Sequence, residues 1–385
     1  MSTLVTVTGL DHPGVTAALM DVLSRHGANV EDIEQVVVHG RLLLGLVVSG
    51  QGDGTAVFAD LEACARDLGV AVELELLVDA EPASAVRHHV VVLGAPLPPA
   101  ALAGVTRRLA TCGANIETIT RLSSWPAQSF ELVVSGGDTA QLRRELAAEA
   151  VAQQVDVAVE RGSIYRRARR LVVMDVDSTL VQGEVIEMLA AEAGCEAEVA
   201  RVTAAAMAGE LDFEASLRAR VALLEGLPVE AVDRVRAAVR LTPGARTLVR
   251  TLKRLGWTVG IVSGGFTAVT DDLRDLLGLD HALANVLEVH DGRLTGRVVG
   301  PVVDRAAKAA ALRSFAEQEG LQPEQTVAIG DGANDLDMLA AAGLGIAFNA
   351  KPVVRDAADA ALSVPFLDAV LFLLGIPRAE VEQAG

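Results

Sequence analysis

From Leu171 onward, short apolar runs alternate with longer stretches whose apolar residues recur at helical spacing. Val172 to Met174, Val259-Gly260-Ile261-Val262, Val327-Ala328-Ile329 and Leu344-Gly345-Ile346-Ala347 carry no charged residue, the pattern of strands buried on both faces. The segments between them, such as Gly244 to Leu255 and Arg305 to Gln318, read as helices. This alternation predicts an α/β doubly wound, Rossmann-like parallel sheet over residues 170–365. Between Glu184 and about Thr242 only helical patterning is present. That block, about 184–242, is expected to be a helical cap inserted after the first strand, with residues 366–385 a C-terminal tail or helix.

The first half has a different rhythm and contains a repeat. His26-Gly27-Ala28-Asn29-Val30-Glu31-Asp32-Ile33 recurs as Cys112-Gly113-Ala114-Asn115-Ile116-Glu117-Thr118-Ile119. Each copy follows a strand-like run (Leu4 to Thr8; Val90 to Leu93) and a helix-like segment ending near the shared glycine. In the first copy this helix is Val15 to Arg25, with Gly27 suited to the position just past its end. Each copy then precedes another strand (Leu42 to Val48; Phe130 to Val134) and a second helix (Ala56 to Leu68; Thr139 to Ala148). The order β-α-β-β-α-β predicts two ferredoxin-like α+β domains, residues 1–80 and 86–160, with Glu81-Pro82-Ala83-Ser84 as the linker.

The 385 residues have a mean hydropathy of +0.37, which marks a folded chain of two or three domains. A net charge of −18 argues against a nucleic-acid partner. The one basic cluster, Arg161, Arg166, Arg167, Arg169 and Arg170, falls between the two halves and reads as a solvated face. Cys64, Cys112 and Cys195 are isolated, with neither metal spacing nor a disulfide framework, which fits a reducing compartment. No secretory signal is evident at the N-terminus, and Ala369 to Ile376 is too short to span a bilayer. A cytoplasmic protein without a membrane partner is expected.

Chemistry concentrates where the second-half strands end. Asp175 and Asp177 follow the first strand, Ser263-Gly264-Gly265 the second, and Gly330-Asp331-Gly332-Ala333-Asn334-Asp335 the third. Open α/β sheets place ligands at those ends. Carboxylates and a phosphate dianion cannot share a cleft without cations, because like charges a few ångströms apart repel strongly. Asp175, Asp331 and the backbone carbonyl of Asp177 offer the hard oxygen ligands Mg²⁺ accepts. Lys308 supplies further positive charge. It is one of only three lysines among 33 basic residues, consistent with a need for a compact point charge. Ser263 can donate to a phosphate oxygen, and Gly264 permits close backbone approach. In this arrangement Asp175 attacks phosphorus and Asp177 is the general acid and then base. Asn334 orients nucleophile or substrate, and Asp335 bonds within the site or supports metal-bound water.

These motifs resemble, in order over residues 171–365, the four motifs of the haloacid dehalogenase-like phosphatases. The resemblance implies Mg²⁺ dependence and an aspartyl-phosphate intermediate. The cap resembles that of the phosphoserine phosphatase family, which implies that Glu184 meets the substrate ammonium and Arg220 its carboxylate, while Met207 and Phe213 close the pocket. Which arginine points inward, Arg218 or Arg220, is open in the sequence. The implied reaction is hydrolysis of O-phospho-L-serine, the last step of serine biosynthesis. Residues 1–160 resemble two ACT domains, amino-acid-binding regulatory modules that commonly pair. This implies a homodimer formed through them and L-serine as a possible effector. The best-matching segment is Gly9-Leu10-Asp11-His12-Pro13-Gly14-Val15, with Asp11 and Gly14 as the ligand-loop residues. The second copy departs there, with Gly94-Ala95-Pro96-Leu97-Pro98-Pro99, and which copy holds the ligand stays open. Two alternatives remain: another Mg²⁺-dependent small-molecule phosphatase of the same superfamily, and an amino-acid-sensing regulatory protein.

Overall fold

The computed structural model describes residues 2–50, 54–77, 86–168, 170–207 and 210–383. The expected linker, residues 81–84, lies outside them. The chain divides into two compact units, Met1–Ser84 and Ala85–Gly385.

The first unit is a four-stranded antiparallel sheet of β1 (Ser2–Leu10), β2 (Asn29–Val38), β3 (Arg41–Ser49) and β4 (Val70–Leu77), in the order β2-β3-β1-β4. Two helices, Val15–Arg25 and Gly54–Leu68, complete it. The Val-Thr-Val-Thr alternation of β1 buries Val5 and Val7, which pack with Leu19, Leu23, Leu44, Leu46 and Leu61. The threonines between them stay partly accessible, as a sheet with one covered face requires. Every residue of β2 is exposed, so it lacks the alternation that marks a strand in sequence.

The second unit begins with the other copy: β5 (Arg87–Gly94), β6 (Ala114–Ser123), β7 (Gln128–Gly136) and β8 (Asp156–Arg161), with helices Pro99–Thr111 and Thr139–Gln153. Its sheet is covered on both faces. Val90 and Val92 pack beneath its own helices, while Val91 and Leu93 belong to the large core of the following domain. The run Val90-Val91-Val92-Leu93 therefore has no polar position to alternate with.

After β9 (Leu171–Met174) come the cap helices Val185–Ala193, Glu196–Met207, Phe213–Ala222 and Val229–Ala238. The chain returns as β10 (Thr258–Phe266), β11 (His281–His290), β12 (Arg293–Val299), β13 (Thr326–Gly330), β14 (Leu344–Phe348) and β15 (Ala360–Leu362). β9 lies at the centre between β10 and β13, parallel to both, and β13, β14 and β15 continue in parallel. β11 and β12 extend the other edge as a hairpin that the apolar-run criterion does not detect. The second copy is joined to the following domain where β15 meets β8 antiparallel at Ala360 and Ala158. The result is one sheet of eleven strands, β12-β11-β10-β9-β13-β14-β15-β8-β5-β7-β6.

One expectation changes here. The arginine cluster is not simply a solvated face. Arg170 is 1% exposed, paired with Glu160 and placed over the Trp257 ring, and Arg166 pairs with Glu131 and Glu160. Charges this dry persist only when paired, and the partners arrive from β7 and β8. The C-terminal segment, expected as a tail or helix, holds the short helices Val370–Leu373 and Arg378–Gln383, and Val370, Leu371, Phe372 and Leu373 are buried in the same core as Val91 and Leu93. No described helix is long and apolar enough to cross a membrane.

Candidate active site

β9 leads directly into Asp175, whose backbone N–H donates to the Ile329 carbonyl near the end of β13 (2.9 Å). The backbone then turns sharply. Ser178 has φ of 56°, and the turn brings Asp177 back over the strand ends. Asp177 accepts from the Val185 N–H (2.8 Å) and from the Ser263 hydroxyl (3.2 Å). Ser263 in turn accepts from the Gly265 N–H (2.7 Å). The two carboxylates thus have different surroundings: Asp175 faces the charged cluster, and Asp177 is held by neutral donors on the cap side.

Lys308, fully buried on the helix Arg305–Gln318, bridges Asp175 (2.8 Å) and Asp335 (2.7 Å). Asp304 caps that helix by accepting from the Ala307 N–H (2.8 Å). Thr179 donates to Asp331 (2.9 Å) and fixes its rotamer. Asp175, Asp331 and Asp335 present oxygens within 4.8 Å of one another. Three acids around one ammonium leave surplus negative charge, a donor set that fits a hard divalent cation. Asp335, which the spacing in sequence leaves outside the proposed metal set, is the third member of this cluster. It accepts from the Gly332 N–H (3.0 Å) and leaves no room for a side chain at Gly330, where a Cβ would lie 2.5 Å from its Cγ.

Burial, reinforced by the Asp335 carboxylate, holds the Asp175 carboxyl well above the usual range even beside Lys308. Burial likewise raises Asp177, against the bonds from Val185 and Ser263. Asp331 is pushed up to about 6, by burial first and then Asp335. Burial alone would lower Lys308, but Asp175 and Asp335 outweigh it and raise it above the ordinary lysine value.

A cavity of about 1240 Å³ lies over these groups and is lined by Asp175, Asp177, Glu184, Phe213, Arg220 and Asn334 among others. Glu184 accepts from Ser178 (3.0 Å), and burial with the nearby Asp177 pushes its carboxyl up to about 7. Arg220 is partly buried and lines the cavity, and that burial lowers its pKa. Arg218 is 45% exposed and pairs with Glu214 (2.7 Å). The geometry therefore turns Arg220 inward. Phe213 lies against Gly264, where a Cβ would sit 3.0 Å from its Cζ. The Met207 side chain lies outside the described residues; its backbone ends the helix Glu196–Met207.

Asn285 has no sequence signal, because its strand β11 has none. It is 1% exposed, donates to the Gly264 carbonyl (2.8 Å) and accepts from the Val303 N–H (2.8 Å). One side chain thereby sets the spacing between the Ser263 turn and the segment leading into the Lys308 helix. The opposite end of the same turn gives a test. A Cβ at Gly265 would lie 2.9 Å from both Asp177 Oδ2 and Ser263 Oγ. Gly265→Ala is expected to push the two apart and lower kcat about a hundredfold, the low end of what displaced acid–base groups cost. Steady-state kinetics, with circular dichroism confirming the fold, checks this.

In the first unit, Asp11 and Gly14 occupy an exposed loop before the helix Val15–Arg25. Gly14 has φ of 100°, and its carbonyl accepts from the Ala18 N–H (3.0 Å).

Residues 172–340 match the haloacid dehalogenase-like hydrolase family, and residues 2–75 and 86–160 each match an ACT domain family. A phosphoserine phosphatase of Streptomyces coelicolor is 58% identical over 99% of this chain and 94% of its own. Phosphoserine phosphatase SerB2 of Mycobacterium tuberculosis is 52% identical over 100% of this chain and 95% of its own. A solved structure described as a phospho-aspartyl intermediate analogue of phosphoserine phosphatase superposes with a TM-score of 0.51 at 46% identity, covering 53% of this chain and 98% of that one. The chain belongs to the haloacid dehalogenase-like hydrolases and, within them, to the phosphoserine phosphatase family, with two ACT domains preceding the catalytic domain. It is a phosphomonoester hydrolase.

Proposed function

We propose that the enzyme hydrolyses O-phospho-L-serine to L-serine and phosphate, the final step of L-serine biosynthesis. The observation that carries this is the sharing of one cavity by Asp175 and Asp177 with Glu184 and Arg220. A zwitterionic substrate needs one partner of each sign beside the phosphate, and a guanidinium grips a carboxylate in two places. Asp175 attacks phosphorus in line, forming an aspartyl-phosphate as the serine Oγ departs. Asp177, protonated at the outset, gives its proton to that oxygen and then takes one from the hydrolytic water. Ser263 and Lys308 hold the phosphoryl oxygens, and Asn334 bonds the substrate or orients the nucleophile. Mg²⁺, held by Asp175, Asp331, Asp335 and the Asp177 carbonyl, would neutralise the phosphoryl oxygens. Phosphate release from L-phosphoserine against a panel of phosphoesters, with and without Mg²⁺, tests the assignment. Equal rates across the panel, or turnover without any divalent cation, would overturn it.

Arg220→Ala should cut selectivity for L-phosphoserine over phosphoethanolamine roughly ten- to a hundredfold, the worth of one charge-assisted pair. Competition assays with both esters measure it, and unchanged selectivity removes Arg220 from substrate recognition.

We also propose that the ACT domains bind L-serine and pair two subunits, with the protein in the cytoplasm. In β2, Val30, Ile33, Val36, Val37 and Val38 are exposed on an edge strand, a surface that favours pairing. The three described cysteines are free, as a reducing compartment favours. Replacing Gly14, at φ 100°, by valine strains the loop. In calorimetry of the full chain, heat from L-serine should vanish in Gly14→Val, persist in Arg220→Ala, and leave Gly14→Val turnover intact. Retained heat in Gly14→Val would place serine elsewhere.

A further inference from the structure

A second cavity, of about 360 Å³, lies where the cap joins the core. The two connecting segments are tied by backbone bonds: Gln182 N–H donates to the Arg240 carbonyl (2.8 Å), and Thr242 N–H to Leu180 (2.9 Å). Three guanidinium groups line the cavity, Arg236 from the last cap helix, Arg240 from the connecting segment and Arg246 from the core helix Ala245–Arg254. Asp272 is the one carboxylate among the lining residues. In a chain of net charge −18, such a concentration of positive charge needs a reason. Arg236 pairs through Nη2 with Asp233 (2.8 Å), but its Nε is buried and has no partner. Arg240 and Arg246 are exposed, and among the described residues neither makes an ion pair. Val269 and Leu273, from the helix Thr267–Leu277, give the same cavity an apolar wall.

We propose that this cavity binds a small organic anion, with its oxyanion head on Arg236, Arg240 and Arg246 and its apolar body against Val269 and Leu273. The exposed guanidinium heads of Arg240 and Arg246 offer an oxyanion charge-assisted bonds, and Arg236 adds its charge beside them. The cavity volume matches that of small-molecule sites. Because its walls come from cap, connection and core, a ligand here bonds all three and restrains the cap relative to the sheet.

The test is calorimetric titration of the full chain with phenylphosphonate, whose phosphorus–carbon bond resists hydrolysis, without divalent cations. Under those conditions the carboxylates Asp175, Asp331 and Asp335 repel a dianion from the catalytic cavity. One binding event is expected in the wild type, at least about tenfold weaker in Arg240→Gln/Arg246→Gln and unchanged in Ser263→Ala. The double variant should retain basal turnover. Hydrogen exchange at the Gln182 and Thr242 amides should slow when the probe binds. Absence of binding, equal affinity in the double variant, or loss in Ser263→Ala overturns the site; unchanged exchange overturns the restraint. Benzoate in place of phenylphosphonate, by binding more or less tightly, tells whether carboxylates or phosphoryl groups are the preferred heads. The titration uses neither substrate nor Mg²⁺, so its outcome is independent of the assignment of L-phosphoserine.

Discussion

Asp175→Asn is expected to abolish turnover while the fold survives. The amide occupies the same volume, and the Val176 N–H that donates to Asp175 Oδ1 (2.7 Å) keeps an oxygen to bond. Lys308 keeps Asp335 as a charged partner. What is lost is the nucleophile, and with it the phosphoenzyme. Removing an enzyme's nucleophile typically costs roughly 10⁴- to 10⁶-fold in kcat. Acid-quenched reactions should show labelled phosphoenzyme with the wild type and none with the variant. Turnover within tenfold of wild type would show that another group attacks phosphorus.

Lys308→Ala is expected to affect stability as well as rate. The ammonium is fully buried between two carboxylates, and removing one member of such a set leaves an uncompensated buried charge. The cost is about 3–5 kcal/mol, measured by denaturant unfolding without metal. Its pH dependence has a definite sign. Burial and Asp335 already raise Asp175 above its unfolded value, and loss of Lys308 raises it further. A folded state that binds the proton more tightly is favoured at low pH and loses that advantage as pH rises through the raised pKa. The variant should therefore be closest to wild-type stability in acid and fall behind toward neutral pH. A deficit that is constant, or that grows in acid, would show that Asp175 does not carry the effect.

The site was largely legible in sequence because its groups sit at the ends of strands that are themselves legible. Asp175, Ser263 and Asp331 each follow an apolar run buried on both faces, so position along the chain fixes position in space. Asp335 was harder to place. Four residues after Asp331, it can point at solvent or at Lys308, and only the helix carrying Lys308 decides between them. Asn285 had no context, since β11 is buried only in part and its polar residues mask the strand. The arginines before β9 look solvated in sequence for a related reason: a charge run does not reveal its partners, and Glu131 and Glu160 arrive from strands earlier in the chain. In the N-terminal half, the repeat predicted two like units. The difference between the Val-Thr alternation of β1 and the unbroken Val90-Val91-Val92-Leu93 was visible, and it marks which copy has a second face to bury.

The shared sheet bears on how far this enzyme can be shortened. Cutting the chain back to residue 170 would remove β8 and leave Ala360 of β15 without its antiparallel partner Ala158, turning β15 into an edge strand. It would also strip Val91 and Leu93 from Phe372 and its neighbours, opening an apolar surface in their place. Arg170 would keep its charge and lose Glu160. A catalytic fragment made this way should be short of solubility before it is short of chemistry. Removing only residues 1–84 ends the chain between the two compact units and leaves the eleven-stranded sheet whole, which makes that the natural place to trim.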